Sequence, residues 1–270
     1  MSHYTLPEGN VQISFSGGRT SAYMLHCLLE TNNGLPDRCI ISFQNTGKEH
    51  PSTLEFVQEV SSRWSVPIVW VEYRPKKPLH EVVSHNSASR NGEPFEALLK
   101  RRKALPNIAM RFCTAELKVL TARRYAIANG WRKWTSALGI RADEAHRAKV
   151  SKDKRITNWH PLCDAGVVSS DIKRFWAAQS WGLNLPHLEN GNPYGNCSGC
   201  FLKSEHAKSM LARERPTDFD WWEKQEQRYG ALWRDKLPLR GIRETVERQG
   251  DWIFDTEGAL CQADDGECTG

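Results

Sequence analysis

The run Val11-Gln12-Ile13-Ser14-Phe15, leading into Ser16-Gly17-Gly18-Arg19-Thr20-Ser21, constrains this chain more than any other stretch. A β-prone segment ends in a Ser-Gly-Gly turn, and apolar residues at helical spacing (Ala22, Leu25, Leu28, Leu29) follow at once. The pattern predicts strand, tight turn and helix, with Thr20 or Ser21 near the helix cap. Two glycines let the backbone bend sharply and come close to a ligand. The amides of the turn and of the first helical turn then face outward as a positively polarised cluster, a setting suited to phosphate. No Gly-Lys-Ser/Thr closes the turn, so it is not a Walker-type P-loop.

The same alternation continues down the chain. Residues 39–43 and 67–73 predict a second and a third buried strand, with a helix between them carrying Leu54, Val57, Val60 and Trp64 on one face. Pro51 suits the first position of that helix. A basic helix is expected over residues 95–105, and another from Ala115 to Asn129 with Thr114 as its cap and Gly130 as its stop. A fourth strand is expected over 133–138. Strands alternating with helices predict an α/β fold, a doubly wound and mostly parallel sheet whose ligands sit at the carboxyl ends of the strands. Residues 74–95 predict an irregular surface flap. Three regions are expected: a nucleotide-binding domain over 1–180, a Cys-x-x-Cys loop and Trp-rich helical region over 181–250, and an acidic tail over 251–270.

Composition narrows the partners. All 37 Lys and Arg lie at or before Arg248, whereas six of the 32 acidic residues follow it, so the first 248 residues carry a net +11. A basic body of this kind suits phosphate-rich ligands, either a nucleotide or a nucleic acid. No run is long enough to span a membrane, and the N-terminus has no basic-then-apolar signal pattern, so a cytoplasmic location is expected. Eight cysteines in such a chain point to metal or redox use for some of them rather than to a disulfide framework. Cys27, Cys39 and Cys163 sit in apolar or strand-like contexts and are expected to be packing residues. Cys113, Cys197, Cys200, Cys261 and Cys268 lie beside turn residues. Trp221, Trp222, Tyr229 and Trp233 could stack on bases, but their helical spacing favours packing.

Four ordered motifs resemble those of the PP-loop ATP pyrophosphatase superfamily, which includes the phosphoadenylyl-sulfate (PAPS) reductases. Ser16, Gly17, Gly18 and Ser21 match its Ser-Gly-Gly-x-Asp-Ser loop, with Thr20 in place of the Asp. Asn45-Thr46-Gly47 with Pro51 and Thr53 resembles its Asp-Thr-Gly-x-x-x-Pro-x-Thr segment, with Asn45 in place of the Asp. Arg111-Phe112-Cys113-Thr114, followed by Lys118, resembles its Arg-x-Cys-Thr-x-x-x-Lys. Gly139-Ile140-Arg141, Glu144 and Arg147 resemble its Gly-x-Arg-x-x-Glu-Ser-x-x-Arg loop.

The resemblance implies an adenine nucleotide alpha-hydrolase-like fold that binds ATP with Mg²⁺ and cleaves between the α and β phosphates. Ser16, Gly17, Gly18, Arg19, Thr20, Ser21, Asn45, Thr46, Gly47, Gly139 and Glu144 would bind nucleotide and metal. Arg141, Arg147, Lys118 and Cys113 would be catalytic. Two arginines and a carboxylate at a strand end can grip polyphosphate and help hold Mg²⁺.

Cys197-Ser198-Gly199-Cys200 has a spacing that suits zinc, an iron–sulfur cluster or a dithiol. Three completions stay open. Cys113, Cys197 and Cys200 would hold a 4Fe–4S cluster with an open iron, a pattern similar to the sulfur-inserting enzymes of the superfamily that act on tRNA or DNA. Cys197, Cys200, Cys261 and Cys268 would hold zinc. Alternatively Cys268 is a tail nucleophile, although the Gly-Leu/Ile-His that follows the Glu-Cys of PAPS reductases is missing. The functions implied are adenylation with sulfur transfer to an acceptor, possibly a nucleic acid, fed by a sulfur or electron donor protein; PAPS reduction releasing sulfite; or non-catalytic binding of nucleotide or nucleic acid. Nothing in the sequence sets the oligomeric state.

Overall fold

The structure, a computed structural model, describes residues 2–186, 192–234 and 237–249. Six strands form one sheet in the order β4-β3-β2-β1-β5-β6. They are β1 (Val11–Ser14), β2 (Cys39–Asn45), β3 (Ile68–Tyr73), β4 (His80–Val83), β5 (Trp134–Ala137) and β6 (Ile156–Trp159). All neighbours are parallel except β3 and β4. The chain runs outward from β1 through β2 and β3, then returns to β1's other side as β5. The loops after β1 and β5 therefore flank the point where strand order reverses, which is where an open α/β sheet leaves a crevice.

Alternation along β1 decides what each face becomes. Val11, Ile13 and Phe15 are buried in a core with Leu25 and Leu28 of α1 (Arg19–Asn32), Leu54, Val57 and Val60 of α2 (Pro51–Arg63), Leu162 of α5 (Pro161–Asp164) and Trp176 of α6 (Ser169–Ala177). Each such fully buried aliphatic side chain contributes about 1.5–3 kcal/mol. Gln12 and Ser14 face the other way. Gln12 Nε2 donates to Ser42 Oγ (3.3 Å) and to the Ala122 carbonyl (3.2 Å), anchoring α4 (Thr121–Ala128) over this polar stripe. A sheet face lined with Ser and Gln leaves room for a ligand.

Two local expectations are corrected and one holds. The segment expected to be a flap contains β4, and Glu72, fully buried on β3, ties it down by accepting from Ser89 N (2.7 Å) and Ser89 Oγ (2.7 Å). α1 starts at Arg19 with Gly18 as its cap, which puts Thr20 and Ser21 near the cap as expected. The helix expected from Ala115 begins earlier, and Thr114–Leu120 is wound as a π-helix that continues into α4. Thr114 is thus inside the helix and caps nothing.

The region after residue 192 forms α7 (Glu205–Glu214), α8 (Pro216–Tyr229) and α9 (Leu239–Gln249). Phe201, Leu211, Phe219, Trp222 and Trp233 build a second core against Phe95, Leu98 and Leu99 of α3 (Glu93–Arg102) and Leu117 of the π-helix. Trp222 and Trp233 are buried packing residues. The acidic tail with Cys261 and Cys268 lies outside the described residues.

Candidate active site

The turn after β1 is held by its own hydroxyls. Ser21 Oγ donates to the Gly18 carbonyl (2.9 Å), lies 2.9 Å from Ser16 Oγ, and accepts from Ser16 N (3.2 Å). Gly17 has φ +80, and a Cβ there would come within 2.7 Å of Thr53 Cγ2 on α2. Only glycine meets both demands. The same contact makes the turns after β1 and β2 neighbours.

The loop after β5 crosses to this turn. Arg141 Nη1 donates to Thr20 Oγ1 (3.2 Å), and a Cβ on Gly139 would lie 3.3 Å from Ser21 Cα. Thr20 is thus the partner of an arginine at the position where an acid was expected. Arg141 Nε also donates to Asp143 Oδ1 (3.0 Å), which keeps that carboxyl below its usual range, and Arg147 Nη1 donates to Glu144 Oε1 (2.5 Å). Glu144 Oε2 is buried and makes no hydrogen bond, but it faces Arg141 Nη2 across an ion pair of 3.6 Å. A carboxylate oxygen so placed beside two guanidinium groups fits a site that receives a metal-bound polyphosphate. Arg19 donates from Nη2 to the Leu183 carbonyl (2.9 Å).

Between the sheet and the π-helix lies a cleft of about 420 Å³. Gln12, Ser14 and Ser16 form its floor, Thr114, Lys118 and Arg123 one wall, and Ser151, Lys152 and Asn158 the other.

A second, smaller cavity of about 30 Å³ lies behind the same helix. Cys113, Cys197 and Cys200 all line it, with Thr46, Lys118 and Asn196. Cys113 and Cys200 are half-buried and Cys197 is buried. Burial pushes the Cys197 thiol well above its ordinary pKa, with the nearby Glu49 carboxylate adding to the shift. Three thiols in one apolar-walled cavity are the right donors, in type and number, for a cluster with one open iron. Among the described residues no three His, Cys, Asp or Glu side chains meet at metal-ligand geometry. The four-cysteine zinc set and the Cys268 nucleophile involve residues outside those described.

Sequence reasoning missed what grips the cysteine loop. Thr46 Oγ1 lies 3.3 Å from Cys197 Sγ and donates to Glu49 Oε1 (2.8 Å), Ser198 N donates to the Lys48 carbonyl (2.7 Å), and Glu49 pairs with Cys197 as an antiparallel bridge. Lys48 and Glu49 are both nearly inaccessible, and burial lowers the pKa of the one and raises that of the other. His50 caps α2 by accepting from Ser52 N at Nδ1 (3.1 Å). Burial and the neighbouring Arg215 guanidinium push its pKa down to about 4. Asn45 is fully buried, donating from Nδ2 to Glu72 Oε1 (2.6 Å) and to the Ser89 carbonyl (2.8 Å) and accepting from Gly47 N (3.1 Å), so its amide is spent on shaping the turn. The signal was the run of charged residues inside the turn itself; their burial depends on α8, far along the chain.

No helix among the described residues is long and apolar enough to cross a membrane. A family model, the phosphoadenosine phosphosulfate reductase domain, matches residues 10–179. The nin region protein ORF290 of Escherichia phage lambda is 33% identical over 212 residues, covering 75% of this chain and 69% of that protein. Among solved structures, a PAPS reductase from Candida auris in complex with phosphate is similar with a TM-score of 0.46 and 16% identity, covering 68% of this chain and 82% of its own. The U34-tRNA thiolase NcsA of Methanococcus maripaludis, solved with its 4Fe–4S cluster, is similar with a TM-score of 0.41 and 14% identity, covering 92% of this chain and 74% of its own.

Proposed function

Since this chain belongs to the phosphoadenosine phosphosulfate reductase domain family, we propose that it is a PP-loop enzyme that adenylates an acceptor with ATP and then exchanges the acceptor's oxygen for sulfur. One observation carries this reading. Thr114 and Lys118, on the π-helix, line both the cleft and the three-thiol cavity, so a single helical turn separates a polyphosphate-sized space from a soft-ligand donor set. π-helical turns recur at functional sites because they bring side chains into register that an α-helix would spread apart.

In this reading the amides of the Ser16–Ser21 turn hold the β and γ phosphates. Glu144 would help hold Mg²⁺, which would neutralise charge on the polyphosphate, and Arg141 and Arg147 turn from Asp143 and Glu144 toward the α-phosphate. An acceptor oxygen attacks the α-phosphorus and pyrophosphate leaves with the bonding electron pair. Sulfur then attacks the activated carbon and AMP departs with the oxygen. Lys118 neutralises charge developing on the α-phosphate, and the chain's contribution is chiefly placement and electrostatics. Cys113, Cys197 and Cys200 would hold a 4Fe–4S cluster, which when bound supplies an open iron as a sulfur-binding position. The acceptor we assign to nucleic acid, because Lys149, Lys152, Lys154 and Arg155 form an exposed basic run and Lys152 lines the cleft.

Anaerobic incubation with ATP, Mg²⁺ and candidate RNA or DNA tests this. Pyrophosphate and AMP should form in amounts equal to sulfur incorporated, and Lys118→Ala should lower the rate about 100-fold or more. Sulfite release from PAPS without ATP cleavage would replace the proposal with sulfonate reduction.

A further inference from the structure

Next to the Cys197–Cys200 turn sit two cations that the scheme above leaves without a task. Lys203 is 2% exposed and Lys208 is 3% exposed. Lys203 Nζ donates to the Asn192 carbonyl, and Lys208 Nζ donates to the Phe201 carbonyl (3.3 Å). Among the described residues neither ammonium forms an ion pair. Lysine is almost never fully buried unless paired, because a buried charge without a counter-charge is strongly unfavourable. Water can complete the hydrogen bonds of such a group but leaves its charge uncompensated.

The neighbouring charges do not answer them. Glu226 spends its carboxylate on Trp233 N (3.1 Å) and Leu239 N (2.8 Å). Arg234 adds a third cation, donating from Nη1 to the Lys203 carbonyl (3.2 Å). Burial, and then Arg234, push the Lys208 pKa down to about 8, and Cys200 is the largest influence in the opposite direction. Phe201 follows Cys200, and both line the cavity with Cys113 and Cys197. The Lys208 ammonium therefore lies one carbonyl behind the cysteine loop. Three thiolates outweigh the charge of a 4Fe–4S core, so a cluster held by them is anionic, and an added electron makes it more so. A fixed cation beside it favours the reduced form.

We infer that Lys208, backed by Lys203 and Arg234, is the counter-charge of the cluster held by Cys113, Cys197 and Cys200 and raises its reduction potential. This rests on the cluster proposed for the cavity, and it adds a redox tuning that the adenylation scheme does not itself require. Lys208 is a positioning residue in this sense: it acts on the cluster through its charge and touches no substrate.

Redox titration of the anaerobically reconstituted full chain, followed by electron paramagnetic resonance of the reduced cluster, tests the inference. Lys208→Met keeps a long apolar side chain and removes the charge. It should change the oxidised-to-reduced ratio at a fixed potential by about tenfold, a fall of about 59 mV for one electron. Lys208→Arg should stay within about twofold of the wild-type ratio. Lys203→Met should shift the potential in the same direction as Lys208→Met, and it carries the test if the latter fails to fold. Equal potentials in wild type and the two Met variants would overturn the inference. The metal-free proteins separate charge from structure: Lys208→Met should melt at the wild-type temperature or higher, since an uncompensated buried charge has gone. A marked fall there with an unchanged potential would make Lys208 a clamp on the Phe201 carbonyl instead. Iron and sulfide are counted separately. A loaded wild type whose potential ignores both lysines sinks this inference alone, whereas a wild type that holds no iron sinks the proposed cluster and this inference together.

Discussion

Asn45 carries an amide where the related motif has a carboxylate, and Glu72 accounts for the exchange. Glu72 is fully buried, and its Oε1 accepts from Asn45 Nδ2 at 2.6 Å. An aspartate at 45 would bring a second carboxylate against the first with no water to screen them. Asn45→Asp should therefore lower stability by about 3–5 kcal/mol at neutral pH, and adding Glu72→Gln should recover part of that loss; urea denaturation of both variants checks it. His50 supplies a second prediction at this scale. Its folded pKa of about 4 lies below the unfolded value near 6.5, so the unfolded chain binds the extra proton first. The stability that neutral His50 contributes is complete above about pH 6.5 and is lost as pH falls toward 4, by about 2–3 kcal/mol. Protonation also removes the lone pair that caps α2 at Ser52. His50→Asn, which can cap without titrating, should flatten this part of the stability–pH curve.

Among the elements, β1 to β3, β5 and their following turns were legible because buried strands and glycine turns leave strong local patterns. β4 and β6 were not, since each has four residues and owes its pairing to a neighbour already in place. The π-helix was read as a later-starting α-helix because Thr-Ala-Glu-Leu carries no signal for the wider winding. The Cys197–Cys200 turn illustrates the same limit. Its spacing was plain, but its anchorage to Lys48 and Glu49 depends on residues about 150 positions earlier. Gly199 fixes that turn, with φ +75 and a Cβ position 2.5 Å from Leu211 Cδ2 and 2.8 Å from Trp222 Nε1. Gly199→Ala should cost about 2–4 kcal/mol from strain and overpacking. Its signature should be faster alkylation of Cys197, followed by mass spectrometry.

At the scale of the whole molecule, the described residues build two cores. The first packs around the Ser16–Ser21 turn, and the second, centred on Trp222 and Trp233, walls the cavity of the cysteines. Trp222 Nε1 donates to the Ser198 carbonyl (2.7 Å), so this core reaches the Cys-x-x-Cys backbone directly. Trp222→Ala should cost about 3–5 kcal/mol and expose Cys197 and Cys200 to alkylation. ATP affinity, measured by calorimetry, should change less than twofold because the Ser16–Ser21 turn belongs to the other core; a parallel collapse of ATP binding would show that the two cores unfold as one.

The π-helix at Thr114–Leu120 holds one residue more than an α-helical turn of equal rise would need. Removing a single residue there lets the backbone relax to ordinary winding, and each residue of shift turns everything upstream by about 100° relative to α4. Cys113 and Thr114 would swing away from the cavities they now face, and no side chain need be altered for that to happen. A one-codon deletion would thus leave the sheet intact while parting Cys113 from Cys197 and Cys200.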